Sequence, residues 1–72
     1  MFSMTKHQGV GHTIRQARTA RSMSLRTLAA HLRVSPATLS AVETGQTPLT
    51  VERLQQIAEV LEVPAARLLR GD

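Results

Sequence analysis

The sequence predicts an all-α domain on three observations. Apolar residues recur at helical spacing, residues that start and stop helices follow one another along the chain, and no stretch alternates like a β-strand. At 72 residues the chain has room for one domain. We therefore expect a compact five-helix domain over residues 10–70, preceded by a flexible N-terminal arm over residues 1–9.

The first two helices are indicated by apolar spacing and by a capping serine. The first helix is expected from about residue 11 or 12 to residue 21, with its inner face formed by Val10, Ile14 and Ala17. Ser24 can cap the second helix, because its hydroxyl can accept a hydrogen bond from a free backbone N–H at the helix start. The second helix stops near Arg33, and its apolar residues follow the i, i+3, i+4, i+7 pattern: Leu25, Leu28, Ala29 and Leu32.

The remaining helices have equally clear boundaries. Ser35 caps a third helix, and Pro36 takes its first position, where a missing N–H costs nothing. Gly45 ends this helix as a left-handed residue. Thr50 caps a fourth helix with the apolar stripe Leu54, Ile57, Ala58 and Leu61, and Pro64 opens a short fifth helix.

Charge is distributed unevenly along the chain. The net charge is +4, but residues 1–42 carry +6 without a single acidic residue, and residues 43–72 carry −2. A one-sided basic surface is typical of proteins that bind polyanions such as nucleic acids. Charge alone leaves open that a small protein simply carries some excess positive charge.

The connection between the second and third helices is the most informative feature. Only residues 33–35 separate the two helices, so they must cross at a steep angle, and Ala29 supplies a small residue where they touch. A shared core can then be closed by Leu28, Leu32, Val34, Leu39 and Val42. This geometry lets the third helix project from the domain and enter the major groove of DNA.

Residues 24–29 (SLRTLA), 34–40 (VSPATLS) and 43–45 (ETG) resemble the Cro/phage-repressor type, or XRE-like, helix-turn-helix family. The resemblance extends over about residues 10–70, with Ile14, Arg15 and Arg18 matching the first helix and Leu54, Ile57, Ala58, Leu61 and Val63 the closing helices. It implies a lambda-repressor-like fold that binds double-stranded DNA sequence-specifically as a transcriptional regulator. Repression is the expected mode of action, with residues 36–44 as the recognition helix in the major groove.

The resemblance also implies roles for individual residues. An ion pair between Arg18 and Glu43 would join the first helix to the recognition helix; the alternative is that Glu43 is a surface acid. The base-facing positions would be Pro36, Ala37, Thr38, Ser40 and Ala41. Since these residues are small, direct readout should be modest, with alanine methyls against thymine methyls and hydroxyls on base edges or phosphates. DNA shape should carry more of the specificity.

Phosphate contacts are expected around the rim of the recognition helix. Helix N-termini and their caps bind anions, and the candidate residues are Arg15, Arg26, Thr27, Ser35, Thr44, Gln46 and Thr47. Leu25 stands where the family often has glutamine, so that side-chain contact is expected to be missing, with Arg26 as a substitute. Arg33 stands where many relatives have glycine, and a left-handed arginine costs on the order of 1 kcal/mol.

Other functions are not indicated by the residues present. The chain has no cysteine, and the spacing of His7, His12 and His31 matches no helical metal pair, so we expect no metal, no cofactor and no enzyme activity. Phe2 is the only aromatic residue, which disfavours single-stranded nucleic acids and favours duplex DNA over RNA. With no long apolar run and a polar N-terminal segment, the expected location is cytoplasmic and nucleoid-associated, away from membranes.

The expected partner is duplex DNA, bound by a homodimer. A single small domain buries a limited DNA interface, whereas two copies can read half-sites about 34 Å apart. Val63, Leu68 and Leu69 could form the dimer surface or complete the monomer core, and the core is slightly favoured. Two other classes stay open: a protein-interaction module with the same fold, and a cationic peptide of membrane surfaces, which the division of the chain by prolines and glycine disfavours.

Overall fold

The computed structural model describes the backbone of residues 3–70 and the side chains of residues 9–70. Within these residues the chain forms five α-helices and no strand: α1 (Ser3–Ala20), α2 (Leu25–Leu32), α3 (Pro36–Glu43), α4 (Val51–Leu61) and α5 (Ala65–Arg70). α1 packs against α3, α4 and α5, while α2 packs against α3 and α4. The expected all-α, five-helix fold is confirmed.

α1 begins earlier than the sequence suggested. Its backbone is helical from Ser3, but it contains a kink at Gly9, whose φ of 22° and ψ of −139° are not helical. A glycine adopts such angles at little steric cost because it has no Cβ. The backbone of residues 3–8 is thus helical instead of irregular. Residues 1 and 2 and the side chains of residues 3–8 lie outside the described residues, so the flexibility of the arm stays a prediction.

The three predicted N-caps are confirmed. Ser24, Ser35 and Thr50 each accept a hydrogen bond from the backbone N–H three residues further on, at 3.0 to 3.1 Å. In α2 and α3 the cap also pairs with a threonine hydroxyl, since Ser24 Oγ lies 2.8 Å from Thr27 Oγ1 and Ser35 Oγ lies 2.9 Å from Thr38 Oγ1. The two helices of the central motif therefore start in the same way.

The ends of α1 to α4 also follow one pattern. A residue in the left-handed conformation follows each helix, and the next N–H bonds back to a carbonyl in the last turn, as in a Schellman motif. The left-handed residues are Ser22, Arg33, Gly45 and Glu62, with φ from 57° to 83°. The left-handed conformation expected at Gly45 and Arg33 is present. Three of the four positions carry a side chain, which is costly in this conformation.

Arg33→Gly should raise the free energy of unfolding by up to about 1 kcal/mol, because glycine relieves the strain of the left-handed conformation. Thermal unfolding measures the effect. Arg33→Ala is the matched control, since it removes the same long side chain but keeps the Cβ, and we expect it to leave stability unchanged. Equal effects of the two variants would show that the arginine side chain, not the backbone, determines stability at this position.

The core lies where all five helices meet. The fully buried large side chains come from every helix: Ile14, Leu28, Leu39, Ile57, Leu61 and Leu68. Ala29 is also buried, as expected of the small residue between α2 and α3. Among the residues whose role was open, Leu68 is 1% exposed and completes the core, Val63 is half-buried, and Leu69 is 60% exposed.

Candidate nucleic-acid interface

The N-terminal half of α3 is its exposed part. Leu39 and Val42 are buried, which fixes the inner face, whereas Pro36, Ala37 and Thr38 are exposed. The separation of α2 and α3 by a short turn leaves this first turn of α3 at the surface. The exposure of this first turn agrees with the outward position that the sequence predicted for it.

Ser40 and Ala41 are half-buried, although the sequence placed them on the outer face with Ala37. At the end of this turn, the N–H groups of Gln46 and Thr47 both bond to the carbonyl of Ala41, at 2.8 and 3.3 Å. The exposed surface of α3 is thus shifted towards its N-terminus, relative to the surface that an isolated helix would present.

Few polar groups of α3 are free to bind a ligand. The helix, with the sequence PATLSAVE, contains no lysine, arginine, asparagine or glutamine. The Thr38 hydroxyl pairs with Ser35, and Thr44 Oγ1 at the helix end donates to the carbonyls of Ser40 and Ala41 at 3.1 and 3.2 Å. Apart from the free hydroxyl of Ser40, the surface of the described helix presents mostly methyl and methylene groups.

A buried ion pair holds the other end of α3. Arg18 Nε lies 2.8 Å from Glu43 Oε2, and Arg18 Nη2 lies 3.1 Å from Glu43 Oε1. The third nitrogen, Arg18 Nη1, donates to the carbonyl of Met23 at 2.9 Å. With side chains only 11% and 5% exposed, the pair is shielded from water. It connects α1, the loop after α1 and the last turn of α3, which is the contact that the resemblance implied.

Gly11 allows the backbone of α1 to touch the last turn of α3, a contact that the sequence analysis missed. A Cβ at Gly11 would lie 2.5 Å from the carbonyl oxygen of Val42 and 2.6 Å from that of Glu43, far closer than real contacts. The only signal in the sequence was a glycine inside a helical pattern, which often marks a close approach. Glycine and the ion pair thus fix the C-terminal end of α3 from the same helix.

Gly11→Ala should lower the free energy of unfolding by about 1–3 kcal/mol, because the added methyl group forces α1 and α3 apart. The sign is informative, since alanine in place of glycine in an open helix stabilises by about 0.5–1 kcal/mol. Denaturant unfolding measures the change. Gln16→Ala, at an exposed position of the same helix, is the control and should change stability by less than about 0.5 kcal/mol. A more stable Gly11→Ala variant would contradict the close contact.

A second long-range contact that the sequence analysis missed is a hydrogen bond from α4 to the end of α2. Arg53 Nη1 donates to the carbonyl of Leu32 at 3.1 Å and to Gln56 Oε1 at the same distance. This bond satisfies a carbonyl in the last turn of α2, immediately before the turn into α3. Nothing in the local sequence indicated it, because the partners are far apart in the chain.

The candidate phosphate-binding residues are all exposed: Arg15, Arg26, Thr27, Ser35, Thr44, Gln46 and Thr47. Ser35 stands at the start of α3, and Thr44, Gln46 and Thr47 follow its end, so polar groups lie at both ends of the helix. Arg26 and Thr27 belong to the first turn of α2. The apolar surface of α3 therefore has polar residues at both of its ends, and two further candidates lie at the start of α2.

Within the described residues, no group of three or more histidine, cysteine or acidic side chains could hold a metal ion. None of the helices described here has the length and apolar character needed to cross a bilayer.

Comparison with known proteins identifies the fold. A helix-turn-helix family model matches residues 14–68. A crystal structure of the clp gene regulator ClgR from Corynebacterium glutamicum has a TM-score of 0.85 and 31% sequence identity, covering 90% of this chain and 69% of that one. A second ClgR structure from C. glutamicum gives the same score, identity and coverage of this chain, and 84% of the other chain. No curated protein matches in sequence. The chain belongs to the XRE-like helix-turn-helix family.

Proposed function

We propose that this helix-turn-helix protein is a transcriptional repressor that places α3 in the major groove of a specific duplex site. The observation that carries the proposal is the asymmetry of α3. Its first turn, with Pro36, Ala37 and Thr38, is exposed, while its last turn is fixed by the buried Arg18–Glu43 pair. A helix whose last turn is fixed to the domain and whose first turn is exposed suits docking into a groove.

The charge around α3 favours the same conclusion. Among the described residues of α1, α2 and α3, Glu43 is the only acidic residue, and its charge is paired with Arg18. Four exposed arginines belong to this part of the molecule, Arg15, Arg21, Arg26 and Arg33, and Arg21 pairs with Glu62 at 3.3 Å. Among the residues that the structure describes, the exposed acids lie on or next to α4: Glu52, Glu59 and Glu62. A positive surface of this kind attracts phosphates and raises the rate of association with DNA.

Regulation of transcription is supported by the structural neighbours, which are described as regulators of clp genes. A repressor acts by occupying its site, which requires affinity and specificity but no catalytic group. We propose that it acts in the cytoplasm, on the nucleoid of a bacterial cell, because a regulator of transcription must reach the chromosome.

Binding as a homodimer is part of the proposal. A domain this small contacts one half-site, and two copies on half-sites about 34 Å apart double the interface. Leu69 on α5, 60% exposed, is the candidate for the contact between copies, since Leu68 is used by the core. Analytical ultracentrifugation with and without DNA shows whether two copies assemble.

The alternative is a protein-interaction module, and the methyl-rich surface of α3 is the observation that favours it. The two functions differ in their dependence on salt. DNA binding releases counterions, so log K should fall with log[salt] by about 0.9 for each phosphate contacted. An apolar protein interface should respond weakly to salt.

Selection from a random duplex pool tests the proposed function. We expect enrichment of an inverted repeat, the operator, with half-sites about one helical turn apart. Affinity for the operator should exceed that for unrelated duplex by about 10³-fold or more at physiological salt. If the protein enriches no sequence and ignores duplex DNA even at low salt, the proposed function is wrong.

A further inference from the structure

The surface of α3 contains no group that can read a base by bidentate hydrogen bonding. Bidentate recognition of guanine requires arginine or lysine, and that of adenine requires asparagine or glutamine. α3 has none of these residues, its one acid is engaged by Arg18, and the hydroxyls of Thr38 and Thr44 already have partners. If α3 lies in the major groove, it must read the bases in another way.

We infer, on the basis of the proposed function, that this protein recognises its operator through thymine methyl groups, which contact the methyl surface formed by Pro36, Ala37 and Ala41. The C5-methyl of thymine is the apolar group that a base pair presents in the major groove. A G·C pair has no methyl group on this edge, so the same surface gains no such contact from it. The ligand class is therefore duplex DNA with thymines at the positions opposite α3.

The spacing of these side chains suits adjacent base pairs. Ala37 and Ala41 lie four residues apart, on the same side of the helix, and are separated by about 6 Å along its axis. That length spans about two base-pair steps of 3.4 Å. Ala37 is exposed and Ala41 half-buried, so Ala37 is the main contact and Ala41 the secondary one.

Polar contacts within the site are left to Ser40 and to the residues around α3. The Ser40 hydroxyl makes no hydrogen bond to other described residues and can reach one base edge or phosphate. Affinity would then come mainly from phosphates, and the direct part of the discrimination between sequences from methyl contacts, beside the contribution expected of DNA shape. A protein of this kind tolerates many sequence changes but should be sensitive to the loss of single methyl groups.

Replacing single thymines of the operator by deoxyuridine tests the inference. Deoxyuridine removes only the C5-methyl and keeps the pairing and the minor groove. We expect affinity to fall about fourfold for each thymine that α3 contacts, the change that corresponds to about 0.8 kcal/mol for one buried methyl-sized group. Replacement in both half-sites should cost on the order of tenfold. Thymines outside the central positions of each half-site are the matched control and should tolerate deoxyuridine.

A second modified base separates methyl readout from readout of DNA shape. Replacing adenine by 2,6-diaminopurine adds an amino group in the minor groove and leaves the major-groove methyl groups in place. The inference predicts that diaminopurine lowers the affinity less than deoxyuridine does at the same base pairs. Specific binding that is insensitive to every deoxyuridine but is weakened by diaminopurine would overturn the inference while the proposed function stands. Absence of any specific binding would overturn both.

A double-mutant cycle assigns the contact to Ala37. In the Ala37→Gly variant, which lacks the methyl group, the penalty for deoxyuridine at the contacted thymine should shrink from about fourfold to less than twofold. The comparison is made within each protein, so a general loss of affinity cancels. An undiminished fourfold penalty in Ala37→Gly, with circular dichroism showing a folded variant, would show that Ala37 does not read the methyl group.

Discussion

Ala37→Glu should reduce affinity for the operator by about 100-fold or more while the domain stays folded, since like charges juxtaposed at an interface cost several kcal/mol. Ala37 is exposed in the first turn of α3, so a carboxylate there would face the bases and the flanking phosphates of the duplex. In the free protein an acid in the first turn of a helix is stabilising, by about 0.3–1 kcal/mol. Fluorescence anisotropy with a labelled duplex measures binding, and thermal unfolding measures stability.

The matched control for Ala37→Glu is Gln55→Glu. Gln55 is exposed on α4, a helix that packs against α1, α2 and α5, and the substitution changes the net charge equally. Binding should fall less than about threefold in this control, because a single distant charge acts mainly through screened electrostatics. Equal losses in the two variants would attribute the effect to net charge. Unchanged affinity of the Ala37→Glu variant for the operator would show that the first turn of α3 is not part of the DNA interface.

Glu43→Ala should lower the free energy of unfolding by about 3–5 kcal/mol, the usual effect of leaving one partner of a buried pair uncompensated. The guanidinium of Arg18 would keep its charge in a site where its side chain is only 11% exposed. For a domain of 60–100 residues each kcal/mol shifts the melting temperature by about 4–8 °C, so a fall of at least about 12 °C is expected. Differential scanning calorimetry gives both quantities.

Two further variants test the role of the pair. Glu62→Ala removes the exposed pair with Arg21, whose side chains are 42% and 71% exposed, and should cost less than about 1 kcal/mol. The double variant Arg18→Met with Glu43→Leu removes both charges and should recover much of the stability, because apolar residues of similar volume can replace a buried pair. If Glu43→Ala lowers the free energy of unfolding as little as Glu62→Ala does, the Arg18–Glu43 pair is not the main contact that holds α3 in place.

The boundaries of the helices could be predicted from the sequence because their causes are local. A cap such as Ser24, Ser35 or Thr50 bonds to an N–H three residues away, so the residues that make the contact are read together. The start of α1 was the exception. Gly9 was taken as the end of an arm, but it is a kink between two helical segments, and the dihedral angles of a glycine cannot be inferred from its neighbours.

Contacts between distant parts of the chain were predictable only in part. The packing of Gly11 against the carbonyls of Val42 and Glu43 and the bond from Arg53 to the carbonyl of Leu32 have no signature in residue spacing. The Arg18–Glu43 pair was expected from family resemblance and not from the pattern of residues. These contacts depend on how helices cross, which a linear sequence does not specify.

The exposed face of α3 was predicted from helical periodicity and was correct for its first turn. The prediction treated α3 as an isolated helix, and it therefore placed Ser40 and Ala41 at the surface. In the folded domain both residues are half-buried. Phosphate contacts of the exposed rim residues, among them Arg15 and Arg26, stay predictions.

The central claim is that the first turn of α3 and the residues around it meet the DNA. Titrating the ¹⁵N-labelled protein with the operator and following backbone amide shifts by NMR tests it most directly. We predict the largest changes at residues 35–41 and 44–47, with small changes along the acidic surface of α4. Changes centred on α5 or on the acidic surface of α4, with residues 35–41 unaffected, would contradict the claim.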